Sequence, residues 1–133
     1  IIENVPTVNV GVILKYKDGV LLLKRAQAPE KGKWSYPAGR VYKLEKMEEA
    51  VKRKVLEETG LRIKIKEYLG FQILQFKRFA GVKHHVFQFM YLAEGFGDVK
   101  TDETHSEWRV FNKIDPEWHP TVKKFIKESR LIS

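Results

Sequence analysis

The chain has no cysteine. That excludes disulfides, thiolate metal sites and a cysteine nucleophile, and it suits a reducing compartment, so a cytoplasmic location is expected. No apolar run approaches the length of a membrane span, and the opening IIENVPTVNV lacks the charged start and cleavage pattern of a secretion signal. No membrane partner is expected. Repeats and low-complexity tracts are missing, as are the glycine fingerprints of the Rossmann and P-loop phosphate sites. Blocks of like charge are missing too. The net charge of +8 suits an anionic partner, either a nucleic acid or a small phosphorylated ligand, but the lysines are scattered, and a solvated surface is expected rather than a nucleic-acid stripe.

What is present reads as one α/β domain over residues 1–133, with 43% hydrophobic residues to fill a core. From Thr7 to Tyr16 valines alternate before an Ile-Leu pair, and Asp18-Gly19 is expected to turn the chain into VLLLKR as a hairpin. AQAPEKGKW has the composition of a surface loop, and YPAGRV brings the chain back through a second turn. Residues 44–59 have helical periodicity, with Leu44, Met47, Ala50, Val51 and Val55 on one face. LRIKIKEYLGFQILQF and KHHVFQFMYLAE are strand-like and expected to pair across a turn at Ala80-Gly81. GFGDVKTDETHS is a polar loop and EWRVF a short strand. DPEWHPTVKKFIKESR is a closing helix started by Asp115 or His119, with prolines in first-turn positions. Strands, an inner helix, more strands and a final helix predict a mixed sheet covered by helices on both faces.

The end of the inner helix, KRKVLEETGL, is chemically awkward. Gly60 suits a left-handed C-cap, yet Glu57 and Glu58 fill a last turn where the helix dipole favours cations. Counting 100° per residue from Met47, Lys54 and Glu58 fall about 20° to either side of the apolar stripe's centre, with Glu57 roughly 80° round. One reading is local i,i+4 pairing, Lys54 with Glu58 and Arg53 with Glu57, worth about 0.2–0.5 kcal/mol a pair. The other makes the two carboxylates ligands of a divalent cation docked against the PAGR turn. Magnesium takes one or two carboxylates and leaves positions for water and phosphate, and it supplies the positive charge that the helix end lacks.

Gly39, Glu45, Arg53, Val55, Glu57, Glu58, Gly60 and Leu61, spaced over 23 residues, resemble the Nudix box, and the flanking elements resemble the rest of that domain. The resemblance implies a Nudix-type α/β/α sandwich. It also implies a hydrolase of a nucleoside diphosphate linked to another moiety, with Mg2+ or Mn2+ held by Glu57, Glu58 and the carbonyl of Ala38. Lys54 departs from the pattern, standing where the box usually carries a metal-binding or basic glutamate. That departure, GRVYK and the loop DETHSEWRVF are together similar to the GDP-mannose mannosyl hydrolases, which attack the anomeric carbon and release GDP and the free sugar.

By that resemblance His105 is the general base, and Arg25 and Arg40 bind the diphosphate. Thr104 replaces a glutamine ligand, leaving Glu103, with Asp102 beside it, as the nearby carboxylate. The chemistry is coherent: a neutral imidazole with a pKa near ~6.5 accepts a proton from water at physiological pH, and arginine forks suit phosphate oxygens. Trp34 beside the box is the candidate for a base or sugar contact. His84, His85, His119, Trp108 and Trp118 are expected to be structural. Nucleotide-sugar members of the family are often dimers, so a homodimer is a possible assembly. Two alternatives stand beside this reading. One is attack at phosphorus in ADP-ribose, a dinucleoside polyphosphate or a modified nucleotide. The other is a ligand-binding domain without catalysis, in which Lys54 neutralises Glu58 in place of metal.

Overall fold

A computed structural model describes residues 5–27, 30–77 and 83–133. The expected turn at Ala80-Gly81 lies outside the described residues. The elements in chain order are strands β1 (Thr7–Tyr16), β2 (Gly19–Arg25), β3 (Trp34–Ser35) and β4 (Ala38–Arg40), helix α1 (Met47–Thr59), strands β5 (Arg62–Lys77), β6 (Lys83–Phe96) and β7 (His105–Phe111), and helix α2 (Pro120–Ser129). The sheet runs β3-β2-β1-β6-β5, with β4 also paired to β1 and β7 to β2. β1 and β6 are parallel and the other pairings antiparallel. Among the described residues no helix is long and apolar enough to cross a membrane.

The two-residue period of a strand explains the layers. Val10, Val12 and Leu14 of β1 share one face with Leu21 and Leu23 of β2, and there they pack on Ala50, Val51 and Val55 of α1. Ile13, Val20 and Leu22 point the other way, onto Val122, Phe125 and Ile126 of α2. Because both faces are covered, β1 and β2 read as nearly continuous apolar runs. The result is the α/β/α sandwich that the box implied.

Two local expectations are corrected. The hairpin turn is Lys17-Asp18, with Lys17 at a left-handed φ of 55°, while Gly19 pairs with Tyr16 and already belongs to β2. Helix α1 starts at Met47, and Leu44, expected on its apolar face, is 95% exposed with φ at 68°. The cause is a polar clamp that holds the backbone before the helix in a non-helical form. Glu45 accepts the Tyr42 N–H at 3.0 Å, and its two oxygens take the Arg53 fork at 2.8 and 3.0 Å. Arg53 also donates to the Arg40 carbonyl at 2.7 Å and lies 3.8 Å over the Tyr42 ring. The helix then opens with Glu49 accepting the Lys46 N–H at 2.9 Å and closes on Gly60 at φ 73°, whose N–H reaches the Leu56 carbonyl. In α2, His119 is the cap, accepting the Thr121 N–H at 3.2 Å ahead of Pro120.

The clamp has a pH signature. The Arg53 hydrogen bonds and then the Tyr42 N–H pull the Glu45 carboxyl from its ordinary 4.5 down to about 2. A carboxyl lowered in the folded state stabilises above its unfolded pKa and loses that contribution as pH falls through its folded one. Replacing Glu45 with Gln is therefore expected to lower the urea midpoint at pH 7, with the gap to wild type closing between pH 4.5 and 2. A gap independent of pH would contradict the clamp.

Candidate active site

Three segments meet at the end of α1. Glu57 and Glu58 come from its last turn and Ala38 and Gly39 from β4, while Asp102, Thr104 and His105 lie at the start of β7. The loop before β7 is tied to the helix by the Lys100 N–H, which donates to the Thr59 carbonyl at 2.7 Å. It is tied to β2 by the Ala26 N–H on the Thr104 carbonyl at 2.9 Å and by the pairing of Arg25 with His105. Inside the loop Asp102 makes a turn of its own. Its Oδ1 accepts the Thr104 N–H at 3.2 Å, the Thr104 hydroxyl at 2.7 Å and the His105 Nδ1–H at 2.9 Å.

Glu58 is the buried member, only 7% exposed. Its Oε1 accepts the Ala38 N–H at 3.3 Å, and its Oε2 lies 3.3 Å from the Lys54 ammonium. Burial pushes its carboxyl up, and the charges of Lys54 and His105 only partly offset this. Asp102 behaves in the opposite way: burial raises it, but the hydrogen bonds from Thr104 and His105 outweigh that and leave it lowered. One ligand atom each from Glu58, Asp102 and His105 lie within 4.8 Å of one another. Two carboxylate oxygens and an imidazole are a donor set that a divalent cation accepts, and a cation there offsets the cost of burying Glu58.

The sequence-predicted residues separate into groups. Glu58, His105 and Ala38 are brought together. Glu103 is exposed and lies outside that group, where Asp102 stands instead. Glu57 is 43% exposed and engaged by Arg53 at 2.9 Å and by Lys54 at 3.7 Å, so the i,i+4 pairs weighed from spacing both exist. Arg40 is exposed, with its carbonyl tied to Arg53. Arg25 and Trp34 line a cavity of about 480 Å³ that also touches Lys33, Gln75, His119 and Thr121. The Arg25 Nε is buried with no hydrogen-bond partner among the described residues. Trp34 meets the edge of Phe111 at 5.1 Å, with the Arg109 guanidinium 5.1 Å from its ring.

Sequence reasoning passed over the Tyr36, Gln72 and Gln88 cluster, which is buried behind β4. The Tyr36 hydroxyl donates to Gln88 at 2.6 Å, and Gln72 Nε2 donates to both. The signal was available in FQIL and FQFM, where a glutamine interrupts an apolar strand. His119, expected to be structural, both caps α2 and lines the cavity. Trp118 is buried in the core as expected, whereas Trp108 is exposed, with its ring edge-to-face to Tyr16 at 6.2 Å.

The family model described as NUDIX domain matches residues 5–128. The chain belongs to the Nudix family. Among its relatives, the low-salt glycan biosynthesis protein Agl8 of Haloferax volcanii is 30% identical over 134 residues, spanning 95% of this chain and 83% of that protein. An ADP-ribose pyrophosphatase of Methanocaldococcus jannaschii is 45% identical over 65 residues, which are 49% of this chain and 38% of that protein. The crystal structure of a MutT Nudix hydrolase from Burkholderia pseudomallei superposes with a TM-score of 0.71 at 26% identity, covering 93% of this chain and 98% of the other. This Nudix protein is accordingly a hydrolase of nucleoside diphosphate derivatives, of a family that uses divalent metal ions.

The loop of this Nudix hydrolase yields a stability prediction. Thr104→Val removes the 2.7 Å donor to Asp102 and is expected to cost roughly 1 kcal/mol at pH 7. Because the Asp102 carboxyl is lowered from 3.8, that contribution is present above pH 3.8 and fades as pH falls through the folded value. Denaturant midpoints of the two chains from pH 7 downward test it. A difference that grows on acidification would be the wrong sign.

Proposed function

We propose that this Nudix hydrolase cleaves a nucleotide-sugar of the GDP-mannose kind to the nucleoside diphosphate and free sugar, with Mg2+ or Mn2+ and with His105 as general base. The observation that carries the reading is the Asp102–His105 pair beside buried Glu58. With Nδ1–H held by Asp102 at 2.9 Å, the neutral ring keeps Nε2 as its acceptor. In the reaction proposed, water adds to the anomeric carbon, its proton passes to His105, and the bond from that carbon to the diphosphate oxygen breaks. When bound, the metal supplies charge to stabilise the departing diphosphate. Glu58, Asp102 and the Ala38 carbonyl are the residues that would hold it.

The other residues support the same reading. The buried Arg25 Nε has no hydrogen-bond partner among the described residues, and a phosphate oxygen is the acceptor that its fork suits best. The cavity of about 480 Å³ beside it has the size of a small-molecule site and offers Trp34 as an apolar wall and Gln75 as a polar one. A relative named for glycan biosynthesis fits a substrate that is an activated sugar.

One observation favours a second reading: the three ligand atoms within 4.8 Å would allow His105 to be a metal ligand itself. His105→Ala separates the two. As a base, the histidine is worth about 10²–10⁴-fold in kcat with Mn2+ affinity retained; as a ligand, its loss weakens Mn2+ binding first. Hydrolysis in 18O water is expected to label the sugar. Label in the phosphate would show attack at phosphorus, and no turnover of any nucleoside diphosphate sugar with either metal would end the proposal.

A further inference from the structure

Lys54 stands one turn before Glu58 and reaches into the acidic end of α1. Its ammonium is 3.3 Å from Glu58 Oε2 and 3.7 Å from Glu57 Oε1, and the side chain is only 20% exposed. The stem lies directly on Gly39 of β4: a Cβ there would collide with its Cδ and Cε and would stand 2.9 Å from Nζ, so any larger residue would make the lysine's flexible end shift. Glu57 has a second cation as well, since Arg53 Nη1 contacts its two oxygens at 2.9 and 3.4 Å. The ground between the two glutamates is thus already neutralised by groups of the chain.

We propose that the Lys54 ammonium is a built-in cation, standing between Glu57 and Glu58 in place of a metal ion, so that the site takes a single divalent ion on the Glu58–Asp102 side. The proposal rests on the metal-dependent reading above and adds the number and place of the ions. A divalent ion between Glu57 and Glu58 would lie against the ammonium, and like charges at that range repel. On the other flank of Glu58 stand a carboxylate and an imidazole, which attract an ion. Lys54 accordingly acts as a positioning residue: it fixes Glu58 Oε2 and directs the ion toward His105. The Lys54 ammonium and the Ala38 N–H each take one oxygen of the buried Glu58 carboxylate, as a buried charge requires.

Titration of the full chain with Mn2+, followed by the electron paramagnetic resonance signal of the free ion, tests the proposal without reference to turnover. Wild type is expected to bind one ion per chain. Lys54→Met keeps the stem and removes the charge, and it should bind a second. Lys54→Arg should stay at one. Lys54→Gln is a second neutral variant should the Met chain fail to give a cooperative melt. Equal counts on wild type and the neutral variants, or two ions on wild type, would overturn the proposal alone. A wild-type chain that binds no ion would overturn the metal-dependent reading and this proposal with it.

Discussion

The buried carboxylate of Glu58 is the constraint on which the site depends. It sits at the negative end of α1, where both the helix dipole and the loss of solvent disfavour an anion, and its carboxyl is pushed up accordingly. A group so placed persists only where positive charge and donors are arranged around it. The arrangement comes from three directions: Lys54 from its own helix, the Ala38 N–H from β4, and the His105 imidazole from the first residue of β7. Each contributor is held by a different part of the fold, so the site reports on how helix, strand and loop are locked to one another.

Those locks are polar and local to the box. Arg53 joins Glu45, Tyr42 and Arg40 to the helix, which fixes the chain entering α1 relative to β4. Gly60 and Thr59 do the same at the far end, where the left-handed cap turns the chain into β5 and the Thr59 carbonyl receives Lys100. The apolar faces of β1 and β2 supply the burial that holds the layers together, while the box supplies the register. Stability and chemistry thus draw on different side chains of one helix: Ala50, Val51 and Val55 toward the core, Arg53, Lys54 and Glu58 toward the site.

Much of this was legible from local pattern. The alternation of β1, the periodicity of α1 and the spacing of the box depend on neighbours within a few turns, and they led to the sandwich, to Glu58 and to the Lys54 pairing. What escaped depends on contacts distant in sequence. Glu103 and Asp102 are adjacent and chemically alike; which one faces Glu58 is decided by the bond from Lys100 to Thr59 and by the turn that Asp102 makes with Thr104. An apolar residue at the interval of Leu44 looks like helix core, but the Arg53 clamp outweighs one leucine and leaves it in solvent. The Tyr36, Gln72 and Gln88 cluster joins strands that spacing cannot align, and the cavity beside Arg25 is assembled from β2, β3, β5 and α2.

The most direct test of the account is the position of the metal. Crystals soaked in Mn2+ and measured for anomalous scattering should show one peak bonded to Glu58 and Asp102, with the Lys54 ammonium still in place between Glu58 and Glu57. A peak held by Glu57, with Lys54 swung away into solvent, would contradict it.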